Sequence, residues 1–579
     1  MIALFIIVPF LLALLLSVFL KSGKYIAYVA IAASIASLAM LPFIQNGEYS
    51  VSWFSVNGFS FNISTYIAQS NIMLLAIVLL LAPIIFLYSL GFISVPSERK
   101  RFYIEMLSFT VAMLAFAIAG NFIVFFIAWE FLSVMSYLLI GFWYKNPKAA
   151  RAARKAITIV FIGDLCILGS LILFWNAYNS LEFSNIIYEA SSNPTTIPIV
   201  AVMLLIVAIF TKSAQFPFHE WLPDAMEGPV PVSAFLHSAT MVKAGVFAAI
   251  VLYPIFFYSK SLQYFLVIGI LTAIIATTNA MRERHIKKVL AYSTIQELAL
   301  MLASIGVGAV AAALYFFFAQ AFYKALLFFS SGVMMKSNNN TDLYSIYGLK
   351  HNKLIYITTL FGVLSLAGFI PFDGFFSSVV VGESFTSNIL AYAIISIIGL
   401  ATSFYIFRWF FLSSKSTKDS SINLSYDSQP HSMVISMAIL AAFTIIASLV
   451  FFFTSIYSSL RISFIDSAVE IAMFSIGFAA SYFVYVKGRT YFNPKRFEGI
   501  LHNSIVTNAF YLYTAIFIYK IAEGVDLFDL YLNDLFDWFG HLAMKLGIGA
   551  NDITNGQISL YAAALILGFV ILGIIMVIT

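Results

Sequence analysis

The sequence predicts an all-α, polytopic membrane protein with about 16 transmembrane helices. Hydrophobic residues make up 62% of the 579 residues and charged residues only 10%, whereas soluble proteins carry about 45–50% apolar and about 25% charged residues. The mean hydropathy is +0.96. Apolar segments of roughly 20 residues, the length that crosses a bilayer, recur along the whole chain. This composition excludes a soluble enzyme, a nucleic-acid-binding protein and a disordered chain.

The candidate spans follow one another with short connections. Residues 1–20 are apolar and lack the basic start of a cleavable signal peptide, so we expect them to form the first span. The predicted spans lie near residues 1–20, 25–45, 71–95, 102–119, 121–142, 156–176, 197–215, 230–257, 262–280, 289–307, 309–335, 354–380, 386–412, 432–454, 465–486 and 558–578.

The placement of basic residues predicts the orientation of these spans. Lysines and arginines gather in every second connection, for example in residues 99–101, 145–155 and 282–288, while the opposite connections hold only Lys260 and Arg461. Cytoplasmic loops carry the excess of basic residues in membrane proteins. We therefore expect a multi-pass protein of the cell membrane with both termini on the outer side.

Residues 505–550 differ from the other apolar segments. A stripe of apolar residues recurs there at helical spacing, with acidic and amide residues between its members. This pattern predicts one amphipathic helix lying laterally along the membrane face. The alternative is a seventeenth span over residues 505–522, followed by a short surface helix. The apolar stripe consists of Ile521, Val525, Phe528, Leu532, Leu535 and Phe539.

Ionisable residues inside the apolar segments are the candidate functional residues. A charge at the bilayer centre costs about 2.5–3.5 kcal/mol on insertion scales, and such residues usually mark an ion or proton path. Glu130 and Lys212 could form an ion pair; the alternative is that they only staple two helices together. His237 joins the set because imidazole titrates near neutral pH. The principal candidates are Glu130, Lys212, His237, Lys243, Lys324 and Asp373, and the secondary ones are Asp164, Glu297 and Glu383.

Two predicted spans contain helix-breaking residues at comparable places. Pro217 and Pro223 follow Lys212, and Gly368, Pro371 and Gly374 interrupt span twelve. Broken helices at equivalent places in two halves of a membrane protein indicate inverted repeats with ion sites at the breaks. The predicted organisation is residues 1–100 for helices 1–3, 101–258 and 259–413 for the two inverted five-helix repeats, 414–504 for helices 14–15, 505–550 for the lateral helix, and 551–579 for the last span.

The composition gives no sign of a redox centre. Cys166 is the only cysteine, and one thiol cannot by itself hold an iron–sulfur cluster or a structural zinc ion. No phosphate-binding glycine motif of Walker or Rossmann type follows a strand. We therefore expect no cofactor and no metal in this chain.

Several motifs resemble those of one membrane family. Residues 211–245 (TKSAQFPFHEWLPDAMEGPVPVSAFLHSATMVKAG), 287–301, 320–332 and the pair Trp129-Glu130 resemble the antiporter-like subunits of respiratory complex I and of Mrp-type cation/proton antiporters. Residues 555–568, after an amphipathic stretch, resemble the end of the L-type subunit, which has sixteen spans and a lateral helix. The resemblance covers most of the chain.

The resemblance implies a proton path of particular residues. It pairs Glu130 with Lys212, connects the half-channels through Lys243 or Lys324, ends the path near Asp373, and matches His237 to a family histidine. The chain departs from the L-type pattern at several places. Gln320 and Phe316 stand where two histidines are expected, Phe161 replaces an arginine, and Lys243 is typical of M- and N-type subunits. Ser378 stands where the L-type pattern has a terminal lysine, so Asp373 or Glu383 would have to take the role of that lysine.

The resemblance implies a proton-translocating, L-type membrane-arm subunit of a complex I-like quinone oxidoreductase, with electron transfer in other subunits. The expected partners are other membrane-arm subunits, contacted partly by the lateral helix, and the lipid bilayer, with no nucleic acid. The alternatives are an Mrp-type Na⁺/H⁺ antiporter subunit, the antiporter-like subunit of a membrane hydrogenase, and a structural arm subunit that has lost transport.

Overall fold

A computed structural model describes residues 5–56, 59–416, 426–453, 463–488, 505–553 and 558–578. The chain forms two compact units, residues 1–501 and 502–579. The helices of the first unit are α1 (Val8–Phe19), α2 (Gly23–Met40), α3 (Gln69–Phe92), α4 (Pro96–Ile118), α5 (Phe122–Ile140), α6 (Pro147–Tyr178), α7 (Phe183–Ser192), α8 (Ile199–Lys212), α9 (Trp221–Asp224), α10 (Val230–Ser238), α11 (Met241–Val251), α12 (Tyr253–Tyr258), α13 (Leu262–Arg282), α14 (Ile286–Gly306), α15 (Val310–Asn338), α16 (Lys353–Leu366), α17 (Asp373–Glu383), α18 (Ile389–Ser413), α19 (His431–Phe453) and α20 (Phe464–Tyr485).

The mostly helical membrane fold is confirmed. Within the described residues, 12 helices are long and apolar enough to cross a membrane. Four further predicted spans coincide with shorter apolar helices: Val8–Phe19, Ile199–Lys212, Lys353–Leu366 and Tyr561–Ile571. Two of these, α8 and α16, are short because each stops at a predicted break. The full number of sixteen spans stays a prediction.

A β-hairpin precedes α3, and the sequence reasoning did not predict it. Strands β1 (Gly47–Val56) and β2 (Phe59–Ile67) pair antiparallel, with Gly47 opposite Ile67 and a register shift between Ser52 and Phe54. The strands are rich in aromatic and β-branched residues, which favour extended backbone. Asn57-Gly58, the dipeptide between them, is typical of two-residue hairpin loops. The hairpin adds a small sheet to the helical fold.

Both predicted helix interruptions are present. Helix α8 ends at Lys212, and helix resumes with the short α9 and then α10. Helix α16 ends at Leu366, Gly368 adopts a left-handed φ of +79°, and α17 begins at Asp373. The half-helices α16 and α17 touch closely, since a Cβ on Gly374 would lie 1.7 Å from the Ser365 carbonyl oxygen. That α8 and α16 belong to inverted repeats stays a prediction, as do the domain boundaries.

The centre of the first unit is formed by α10, α11 and α14. Of these helices, the span Val230–Val251 is entirely buried and Ile286–Gly306 almost entirely so. Helices α10 and α11 are separated at Ala239 and Thr240, where the backbone leaves helical geometry. This third interruption lies between His237 and Lys243. The buried charges described below lie on or beside these central helices.

The second unit contains α21 (Ile505–Ile553) and α22 (Ile558–Ile578). Helix α21 has 49 residues, which corresponds to a length of about 73 Å and is more than twice the roughly 30 Å of a bilayer core. It runs through residue 522 without a break, as the single-helix interpretation expects. Its orientation to the membrane stays a prediction. Leu527, Phe528 and Phe536 on this helix are exposed.

Candidate functional site

Lys212 lies at the last turn of α8 in a fully buried polar cluster. Its Nζ donates to the Trp129 carbonyl oxygen at 3.1 Å and to the Ser133 hydroxyl at 2.5 Å, and it lies 4.6 Å from the centre of the Trp129 ring. The Asp164 Oδ1 atom is 3.6 Å from this Nζ. The lysine is therefore held by one carboxylate and by groups of α5.

Asp164, rather than Glu130, is the carboxylate beside Lys212. Asp164 accepts hydrogen bonds from Trp129 Nε1 at 2.6 Å and from the Ser133 hydroxyl at 2.8 Å. Glu130 is half-buried and close enough to influence Lys212 electrostatically, but it is not within 4 Å of it. The predicted direct pair of Glu130 and Lys212 is therefore corrected.

The geometry of α5 and α6 explains this exchange of partners. Trp129 and Ser133 are four residues apart and share one face of α5, whereas Glu130 is rotated by about 100° from Trp129. On α6, Gly163 lets α8 approach closely, because a Cβ there would lie 1.9 Å from Thr211 Oγ1. The neighbouring Asp164 thereby reaches Lys212.

A second buried pair joins α14 and α15. The Nζ of Lys324 lies 2.9 Å from Glu297 Oε2 and donates to the Ser293 hydroxyl at 2.5 Å. Glu297 also accepts from Gln320 Nε2 and from the Tyr323 hydroxyl, each at 3.0 Å. Gln320, four residues before Lys324 on the same face of α15, converges with it on the same carboxylate. Glu297, a secondary candidate, is thus the partner of a principal one.

The two pairs have the same composition: a buried lysine, a carboxylate from another helix and a serine hydroxyl. Removing an ion from water costs several kcal/mol, and the attraction between two charges offsets this cost only with good geometry and further hydrogen bonds. Both pairs have those bonds. We call them the Lys212 centre (Lys212, Asp164, Ser133) and the Lys324 centre (Lys324, Glu297, Ser293).

Lys243 lies on α11, which packs against helices that carry residues of both centres. It is fully buried, donates a hydrogen bond to the Phe317 carbonyl oxygen and lies 4.6 Å from the Phe317 ring centre. Helix α11 packs against α8, which carries Lys212, and against α14 and α15, which carry the second pair. Among the described residues no carboxylate lies within 4 Å of Lys243. It is therefore a buried lysine without an adjacent carboxylate, on a helix that packs against helices of both centres.

His237 lies near the end of α10, buried, with its Nδ1 atom lacking a hydrogen-bond partner among the described residues. Its ring centre is 6.0 Å from that of Phe328. Lys287 contributes a positive charge nearby and donates to the Gly228 carbonyl oxygen at 2.8 Å. The structure thus places His237 in the central helices, beside Phe328, which lies one turn after Lys324 on α15.

Asp373 and Glu383 lie at opposite ends of α17. Asp373 is buried in the first turn, where its Oδ1 accepts hydrogen bonds from Ser365 and from the Gly374 amide, while its Oδ2 has no partner among the described residues. Glu383 is the last residue of the helix and only half-buried. These candidates do not come together. Within the described residues there is also no group of three metal-ligating side chains.

Sequence reasoning missed the serines and the Tyr323 hydroxyl. Ser293 lies one turn before Glu297 in the polar run 292–294, so its spacing carried a signal. The sequence gives a weaker signal for Ser133, since nothing in it indicates that α6 and α8 meet beside this residue. Hydroxyls of this kind matter because they can relay a proton between fixed charges.

The region that contains these residues matches a known family. Residues 119–405 match the family profile described as NADH:quinone oxidoreductase/Mrp antiporter, transmembrane. Over these residues, about half of the chain, the protein belongs to this antiporter-like family. The matched region includes both lysine centres and Lys243.

Two curated relatives carry the name NAD(P)H-quinone oxidoreductase subunit 5. That of the organellar chromatophore of Paulinella chromatophora is 34% identical over 384 residues, covering 63% of this chain and 58% of the relative. The chloroplastic protein of Nephroselmis olivacea is 31% identical over 415 residues, covering 68% and 64%. The chain thus spans less than two thirds of the length of these relatives.

Two solved structures share the fold with this family member. A chain of the Mrp complex from Dietzia sp. DQ12-45-1b superposes with a TM-score of 0.74 at 22% identity, covering 100% of this chain and 62% of that one. A chain of the archaeal membrane-bound sulfane sulfur reductase superposes with a TM-score of 0.68 at 19% identity, covering 84% and 99%. At these identities the likeness concerns the fold.

Proposed function

We propose that this chain is an L-type, proton-translocating membrane-arm subunit of a complex I-like quinone oxidoreductase. The observation that carries the proposal is the series of buried lysines in the central helices: the Lys212 centre, Lys243 and the Lys324 centre. Buried charges are costly in a membrane, and a row of them on touching helices is typical of a proton relay.

The relay works through electrostatics. A carboxylate beside a buried lysine favours its charged form, and loss of that carboxylate's charge favours release of the proton. Glu130, half-buried and near the Lys212 centre, is suited to transmit a change of charge from outside the cluster. When Glu130 loses its charge, Lys212 loses one of its two attracting carboxylates, and the proton moves toward Lys243 and onward to the Lys324 centre. A change of one unit in the pKa of a group corresponds to about 1.4 kcal/mol.

The chemistry of electron transfer belongs, in this proposal, to other subunits of the complex. This chain contributes no cofactor or metal. Its partners are other membrane-arm subunits, bound in part by α21, and the lipid bilayer. We place it in the cell membrane with both termini on the outer side, as the basic connections predict.

Replacing Lys212 with methionine in the intact complex tests the function. In sealed vesicles, electron transfer and proton uptake are measured together. We expect the complex to assemble and proton uptake per electron to fall, because the path loses the ammonium that passes its proton toward Lys243. Uptake equal to that of the unmodified complex would favour the alternative that Lys212 only holds helices together in a structural arm subunit.

A second candidate function is that of an Mrp-type Na⁺/H⁺ antiporter subunit. The fold shared with a chain of the Mrp complex over 100% of this chain favours it. The two candidates differ in their partners. Affinity purification of the tagged chain should recover quinone-reducing and iron–sulfur subunits under our proposal, and only small membrane subunits under the alternative.

A further inference from the structure

A cavity opens beside the break between α16 and α17. It offers about 60 Å³ to water-sized molecules, which is room for a few waters, since one water needs roughly 10–15 Å³ by this measure. Polar groups from five helices line it and offer hydrogen-bond partners to water. The polar lining residues that matter here are Glu297, Tyr323, Ser378, Tyr392, Asp466 and Glu470.

Glu470 on α20 has a place shaped for its carboxylate. A Cβ on Gly368 would lie 2.6 Å from Glu470 Oε1, and a Cβ on Gly399 would lie 3.7 Å from Oε2. The Ser378 hydroxyl is within hydrogen-bonding reach of the same group. Glycines on two separate elements, the break and α18, thus leave room for this carboxylate.

Asp466 stands one turn before Glu470 on α20, so the two share a helix face. It is buried, and its Oδ1 accepts a hydrogen bond from the Tyr392 hydroxyl at 2.6 Å. Asp466 lies in the first turn of α20, at the end that the predicted orientation directs outward. The two carboxylates therefore form steps from the cavity toward the outer side.

The opposite wall of the cavity belongs to the Lys324 centre. Glu297, which holds Lys324 at 2.9 Å, lines the cavity together with Tyr323. The same small space therefore adjoins a buried ion pair on one side and the α20 carboxylates on the other. Helix α20 lies outside the two predicted five-helix repeats, so repeat symmetry alone would not identify these residues.

We propose that Glu470 is the carboxylate through which protons pass between the Lys324 centre and the outer side, with Asp466 as the next step. The proposal rests on the proton-translocating function proposed above. In the step, the Lys324 ammonium gives a proton to the Glu297 carboxylate at 2.9 Å, Glu297 gives it to a cavity water, and that water gives one to the Glu470 carboxylate. Lys324 becomes a neutral amine and Glu470 a neutral acid, so the total charge is unchanged.

The test uses the intact complex in sealed vesicles, with proton uptake per electron as the readout. We expect Glu470→Gln to lower uptake to the level of Lys212→Met, because both would interrupt one path. The control is Glu48→Gln, which removes an exposed carboxylate from the hairpin and should leave uptake unchanged. Normal uptake in Glu470→Gln with reduced uptake in Lys212→Met would overturn this inference alone. Normal uptake in Lys212→Met would instead overturn the proposed function.

A rescue variant separates proton transfer from a structural role. Ser378→Asp combined with Glu470→Gln moves the carboxylate from α20 to a neighbouring position on α17. We expect this double variant, and Glu470→Asp, to recover uptake relative to Glu470→Gln. If Glu470→Gln fails to assemble, uptake in these two variants decides the question. An assembled complex in which neither of them pumps would overturn the proposal.

Discussion

At the scale of single residues, the partner of Lys212 decides how the cluster works. Asp164 contacts the lysine and accepts two hydrogen bonds from α5, whereas Glu130 is half-buried and further away. The Asp164 carboxylate therefore holds the charged Lys212 side chain in place. The Glu130 carboxylate is free to change its own charge state with little structural consequence.

This difference yields a prediction for two matched substitutions. Asp164→Asn should destabilise the subunit by about 3–5 kcal/mol, the usual result of leaving one member of a buried ion pair unpaired. Glu130→Gln should destabilise it by less and still lower proton uptake. Thermal unfolding of the purified complexes and vesicle proton uptake measure the two effects. A larger loss of stability in Glu130→Gln would show that the assignment of partners is wrong.

At the scale of elements, the breaks bring the half-helices close to each other. Gly374 is a contact point of α16 and α17, where a Cβ would meet the Ser365 carbonyl oxygen at 1.7 Å. On the same helix, a Cβ on Gly382 would meet only the Tyr392 ring, at 3.9 Å. The two glycines thus differ in what a methyl group would disturb.

Gly374→Ala should therefore separate the half-helices and displace Asp373, at a cost of about 1–3 kcal/mol or more. We expect a lower melting temperature and lower proton uptake. The matched control, Gly382→Ala, should change neither. Equal behaviour of the two variants in thermal unfolding would refute the close contact at Gly374.

The start of α14 carries a pH-dependent contact. His285 Nδ1 accepts a hydrogen bond from the Lys287 amide at 3.2 Å, and burial, with Lys287 and Lys288 nearby, lowers the pKa of His285 to about 3. The unfolded chain takes up this proton near pH 6.5. Stability contributed by the neutral ring is therefore present above about pH 6.5 and is lost as the pH falls toward 3.

His285→Asn should keep the helix cap, since asparagine caps helices well, and remove this titration. We expect melting temperatures close to those of the unmodified subunit near pH 7.5. Between pH 7.5 and about pH 5, the variant should lose less stability than the unmodified subunit. If the melting temperatures of the variant and of the unmodified subunit change equally with pH, the ring titrates normally.

Several elements could be predicted from the sequence because local chemistry determines them. Apolar length located the spans, and Pro217, Gly368 and Pro371 located two breaks. The break at Ala239 and Thr240 could not be foreseen, because neither residue is a helix breaker. The hairpin could have been: Asn57-Gly58 lies between two aromatic, β-branched segments.

The candidate site was predicted in its residues but not in its pairings. The cost of burying charge identified Lys212, Lys243, Lys324 and Glu297. Which carboxylate meets which lysine depends on helix packing, for example on the close approach at Gly163, and no spacing along the chain encodes it. Glu470 could have been found by the same cost argument, since it interrupts the apolar segment 465–486.

At the scale of the whole molecule, α21 is a long helix with exposed apolar side chains. Phe528 is 64% exposed and Phe539 is 53% exposed, and rows of this kind on a helix indicate a binding surface. In the proposed function this surface contacts neighbouring membrane-arm subunits. Its length of about 73 Å suits contact with more than one partner.

Phe528→Asp and Phe539→Asp should therefore reduce the amount of partner subunits that co-purify with the tagged chain. The control is Asp534→Asn on the same helix, an exposed residue outside the apolar stripe, which should retain the partners. Quantitative mass spectrometry of the purified material measures the ratio. Undiminished partners in both phenylalanine variants would exclude the stripe as the docking surface.

The two lysine centres are, in our proposal, stations of one proton path, and a double substitution decides this. Proton uptake per electron is measured in sealed vesicles for Lys212→Met, Lys324→Met and the double variant. If one path runs through both, the double variant should pump as much as the weaker single variant, because a path interrupted once is not slowed further by a second interruption. Independent losses that add in the double variant would contradict a single path.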